Sequence, residues 1–75
     1  MSGEEVVSAL RRFGFEVVSV RGSHAKLRRT GVDGDRETLN IPLHRSLDTG
    51  TTQALFRQAA QFIDENELRP YFYSE

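Results

Sequence analysis

Three β-prone runs lie so close together that the chain must reverse direction between them, and this constrains its fold more than any other feature. Phe15-Glu16-Val17-Val18-Ser19-Val20 is β-branched and aromatic, and Arg21-Gly22-Ser23 turns it into a second run from His24 to Arg29. Thr30-Gly31-Val32-Asp33-Gly34-Asp35, rich in glycine and aspartate, is a hairpin loop by composition and leads into a third run, Arg36–Ile41. Parallel neighbours would need a crossover of about a dozen residues or more. Connections this short predict an antiparallel meander instead. Leu39 and Ile41 alternate inward, and Pro42 ends the third strand because proline cannot donate to the ladder.

Helical patterns flank the meander. Ser2-Gly3-Glu4-Glu5 reads as a capping box, followed by Val6, Val7, Leu10 and Phe13 on one stripe. Arg11 and Arg12 suit the negative end of the helix dipole, and Gly14 stops the helix. A second helix is predicted from Gly50-Thr51-Thr52 to about Ile63, burying Leu55, Phe56, Ala59, Phe62 and Ile63. Asp64 can cap one more turn, but Pro70 argues against a long one. Tyr71-Phe72-Tyr73 is expected to fold back on the core, the alternative being a contact with another chain.

The expected fold is therefore α+β, in the order α-β-β-β-α. A three-stranded antiparallel sheet would carry two helices on one face, as in a double-stranded-RNA-binding domain. The other face, with His24, Lys26 and Arg28 beside Thr38 and Asn40, would meet solvent. One domain over residues 1–75 is expected, with its core at about 3–63 and a C-terminal extension over 64–75.

A chain of 75 residues without cysteine has no disulfide or thiolate metal site to staple it. Its core is small, since a domain of this size buries only about 60% of its unfolded surface. No apolar run approaches the roughly 18 residues of a membrane span. Met1-Ser2-Gly3-Glu4-Glu5 is acidic, unlike a signal peptide, so a cytoplasmic protein without membrane association is expected. The net charge of −1 hides an uneven spread. Arg11, Arg12, Arg21, Lys26, Arg28, Arg29 and Arg36 outnumber Glu16, Asp33 and Asp35 in the middle, whereas Asp64, Glu65, Glu67 and Glu75 outnumber Arg69 in the tail. A basic middle suits an anionic ligand met on one face. The plainer reading is a solvated strand surface.

The histidines carry the chemical interest. Neither His24 nor His44 has a helical i, i+3 or i+4 partner, so no metal site and no cofactor are expected. Ser23 and His24 are neighbours on an extended chain, so their side chains diverge and a serine nucleophile activated by His24 is disfavoured. Phosphodiester cleavage fits better. It needs a base for the 2′-OH proton and an acid for the leaving 5′-oxygen, and imidazole serves either role. His24, held by the Gly22-Ser23 turn, is the candidate catalytic residue, and His44, just past the third strand, is the candidate second acid/base. Arg21, Lys26, Arg28 and Arg29 are the candidate phosphate-binding residues.

Glu4-Glu5-Val6 through Leu10, Gly14-Phe15, Arg21-Gly22-Ser23-His24, Ile41-Pro42-Leu43-His44, Gly50-Thr51-Thr52, Leu55 and Arg57-Gln58-Ala59 together resemble the HicA family of toxins. The resemblance covers roughly residues 3–60. It implies a small mRNA interferase of a toxin–antitoxin system, a double-stranded-RNA-binding-like fold, and His24 as the catalytic residue acting on mRNA without a metal. It further implies a HicB-type antitoxin covering this face. Many family members follow the motif histidine with another histidine, where this chain has Ala25.

Two other readings compete with the endoribonuclease. A non-catalytic RNA-binding module of the same fold would present lysines at the second helix N-terminus, where Asp48-Thr49-Gly50-Thr51-Thr52 has none. A protein-interaction domain would use Tyr71-Phe72-Tyr73 as its contact. A homo-oligomer is neither required nor excluded by the sequence.

Overall fold

The computed structural model describes residues 1–73; Ser74 and Glu75, at the end of the expected domain, lie outside the described residues. The chain forms α1 (Gly3–Arg11), β1 (Glu16–Arg21), β2 (His24–Thr30), β3 (Arg36–Pro42), α2 (Thr49–Ala59) and α3 (Glu65–Phe72). The expected α-β-β-β-α order is present, and α3 follows it.

Local chemistry explains the boundaries. Ser2 and Glu5 form the complete capping box, each side chain accepting from the other residue's N–H. Past the end of α1, Gly14 takes φ +94°, and the Phe15 N–H reaches back to the Leu10 carbonyl. Asp48 caps α2 by accepting from the Thr51 N–H at 2.6 Å. α2 ends at Ala59, short of the expected Ile63. There the N–H groups of both Phe62 and Ile63 converge on the Ala59 carbonyl, turning the chain toward the Asp64 cap of α3.

The strands form one antiparallel sheet in the order β1-β2-β3. One face carries Ala25 and Leu27 of β2 with Leu39 and Ile41 of β3, all buried under the helices. Val6 and Leu10 of α1, Leu55, Phe56 and Ala59 of α2, and the linking residues Phe15 and Ile63 complete the same core. β1 lies at the edge, and Val17, Val18 and Val20 remain 41%, 46% and 56% exposed because the helices cover the middle of the sheet.

The C-terminal region differs from expectation in length. α3 runs for eight residues with Pro70 inside it, longer than the single turn expected. Proline removes one N–H, whose helical acceptor would be the Asn66 carbonyl, and both residues lie on the exposed side. Leu68, fully buried, and Phe72, 8% exposed, anchor the other side. The aromatic tail does fold back: Phe72 and Tyr73 stand 5.5 and 5.3 Å from the Phe56 ring, and Tyr71 lies 5.4 Å from Phe13. Among the described residues, no helix is long and apolar enough to cross a membrane.

Candidate active site on the open face of the sheet

The ends of three elements meet at His24. Gly22 turns the chain with φ +55°, a conformation that disfavours any side chain, and His24 follows as the first residue of β2. The Ser23 carbonyl accepts from the Leu43 N–H, which ties this turn to the segment leaving β3. That segment is held in turn by the start of α1. The Gly3 N–H donates to the His44 carbonyl at 2.9 Å, and the Leu47 N–H donates to the Met1 carbonyl at 2.8 Å. A Cβ on Gly3 would lie 2.0 Å from the Pro42 carbonyl oxygen, so only glycine permits this approach. His24 and His44, twenty residues apart in the chain, are thereby brought to 6.4 Å between ring centroids, edge to face at 72°. Both are exposed.

The sheet register sets what surrounds them. Directly opposed residues on neighbouring strands share a face. His24 pairs with Arg21 and Pro42, Lys26 with Ser19 and Asn40, and Arg28 with Glu16 and Thr38. Ser19, Arg21, His24, Lys26 and Asn40 line a pocket of about 410 Å³. A bulge at Val18 decides this arrangement. Strict alternation from the buried Phe15 would turn Ser19 and Arg21 toward the helices, and one extra residue returns both to the open face.

Of the four cations named as phosphate contacts, the fold brings three together. Arg21, Lys26 and Arg28 share the open face, and among the described residues none of them makes a salt bridge. Arg28 is half-buried and its Nε has no hydrogen-bond partner. Arg29 points the other way. Its Nε donates to the Glu37 carboxylate at 2.7 Å, and its two terminal nitrogens donate to the Phe13 and Phe62 carbonyls, each at 2.8 Å. The guanidinium also lies 4.8 Å over the Phe15 ring. It clamps the end of α1 to β3 and to the turn after α2.

Chemically, the pocket with His44 beside it offers two imidazoles, two flanking cations and two small polar side chains. Ser19 and Asn40 were not singled out from the sequence as site residues; alternation alone put Asn40 on the open face, whereas the place of Ser19 depends on the bulge in β1. Among the described residues, no three His, Asp or Glu side chains gather into a metal-binding group. Comparison with curated proteins finds no match. A family model described as "HicA toxin of bacterial toxin-antitoxin" matches residues 3–60.

Proposed function

Because the chain belongs to the HicA toxin family of bacterial toxin–antitoxin systems, we propose that it is a metal-independent endoribonuclease that cleaves mRNA through His24, with His44 as the second acid/base. The observation that carries this reading is the pair of imidazoles 6.4 Å apart beside a basic pocket. Both rings are exposed and adjacent, so one phosphodiester laid on the open face is within reach of both. One imidazole takes the 2′-OH proton as O2′ bonds to phosphorus. The other gives a proton to O5′ as the P–O5′ bond breaks. The products are a 2′,3′-cyclic phosphate and a free 5′-hydroxyl, so protons balance and no water is consumed. Arg21 and Lys26 offset the charge that builds on the non-bridging oxygens. An antitoxin of the HicB type is the proposed partner, with the open face as the surface it would cover.

The test is incubation of purified protein with RNA beside variants. His24→Ala and His24→Gln should each abolish cleavage while the fold persists, because an exposed side chain contributes little to stability. His44→Ala should slow cleavage by about 10²–10⁴-fold, the usual contribution of one acid/base group. Chelator should leave the wild-type rate unchanged, and the 3′ ends should carry cyclic phosphate. A folded His24→Ala protein that cuts at the wild-type rate would overturn the assignment.

A further inference from the structure

We infer that the open face takes RNA as a single strand lying along β2, one nucleotide to each cross-strand row, and that the row Ser19–Lys26–Asn40 recognises the nucleotide next to the cut. The inference rests on the proposed role of His24 for where the cut falls. Three rows cross this face: Arg21–His24–Pro42, Ser19–Lys26–Asn40 and Glu16–Arg28–Thr38. Each is two residues from the next, about 6.8 Å along the strand, a spacing that suits one extended nucleotide. Every row carries a cation, Arg21, Lys26 and Arg28 in turn; the first two rows are net positive, and in the third Glu16 stands opposite Arg28.

The middle row is built for reading a base. Ser19 and Asn40 are exposed on either side of Lys26, and among the described residues neither side chain takes part in a hydrogen bond. The Asn40 amide presents a donor and an acceptor side by side, and the Ser19 hydroxyl can act as either. Together with Arg21, His24 and Lys26 they line a half-open hollow of about 410 Å³, room for one base. Among the described residues the only aromatic rings on this face are the His24 and His44 imidazoles, at the row of the cut, so in the middle row selectivity falls to these polar edges. A duplex fits less well. Shape-reading of A-form RNA spreads contacts over two minor grooves and the phosphates between them. The α2 N-terminus offers no cation for that, and its cap, Asp48, is an anion.

The test uses the full chain carrying His24→Ala, which binds without cutting. Its affinity for a short fluorescent RNA single strand is compared with that for the same sequence in a duplex, and a randomised single-stranded library is sequenced after binding. The single strand should bind at least about tenfold more tightly. One position of the bound library should show a base preference, which Asn40→Ala on the same background flattens about tenfold. On the wild-type protein, mapped cleavage should place that position beside the cut. Equal affinity for duplex, or a library unchanged by Asn40→Ala, would overturn the inference and leave the nuclease reading standing. Binding with this pattern but no cleavage by the wild type would defeat the nuclease reading and uphold the single-strand path.

Discussion

Lys26, Arg28 and Arg29 stand within four residues of one another, and period 2 divides them. Lys26 is exposed beside the pocket, whereas Arg29 has three nitrogens bonded to groups from three parts of the chain. Arg29→Ala would strip the Phe13 and Phe62 carbonyls of their donor and leave Glu37 unpaired. The expected cost is about 2–4 kcal/mol, read as a lowered melting temperature. Arg29→Lys should recover little of it, because an ammonium cannot reproduce the planar fork. Lys26→Ala should leave the melting temperature near wild type. It should instead weaken RNA binding and reduce the slope of affinity against salt by about one. The reverse pattern would exchange their roles.

The helices depend on carboxylate caps, and this makes their stability sensitive to acid. The Ser2 backbone and hydroxyl hold the Glu5 carboxyl below its usual range, and the Thr51 backbone and hydroxyl do the same for Asp48. A group whose pKa is depressed by folding adds stability above its unfolded pKa and loses it as pH falls through the folded value. The melting temperature should therefore decline as pH drops from about 5 toward 3. Asp48→Asn, which caps nearly as well but does not titrate, should shallow that decline. Parallel melting curves for the two proteins across this range would exclude Asp48 as a contributor. Between the helices, the edge strand β1 carries its valines largely in solvent, so its register is held by pairing with β2 more than by burial.

At the scale of the molecule, the family resemblance and the core end in different places. The family match stops at residue 60, yet Ile63, Leu68 and Phe72 are core residues. Leu68 is fully buried, and α3 packs across α2 through Phe72 on Phe56. Leu68→Ala should cost about 2–5 kcal/mol. For a domain this small, whose total stability is of order 5–10 kcal/mol, that is a large share. Thermal denaturation should show a fall of about 10 °C or more. A drop of only a degree or two would mean that α3 is an appendage.

The sequence by itself determined the first five elements and their order. The capping box, the φ-positive glycines and the alternation of Ala25, Leu27, Leu39 and Ile41 are local chemistry, and local chemistry is written in adjacent residues. His24 was legible for the same reason, as a histidine leaving a glycine turn with cations on its face. The pairing of His24 with His44 required the tertiary structure, because it depends on the closeness of Gly3 to Pro42 and on the Ser23–Leu43 bond. Tertiary structure also decided the fate of Arg29 and the length of α3, where burial of Leu68 and Phe72 outweighed the cost of Pro70. The Val18 bulge is the finest instance. One unpaired residue sets which face Ser19 and Arg21 occupy, and strand pairing rather than composition decides where that residue falls.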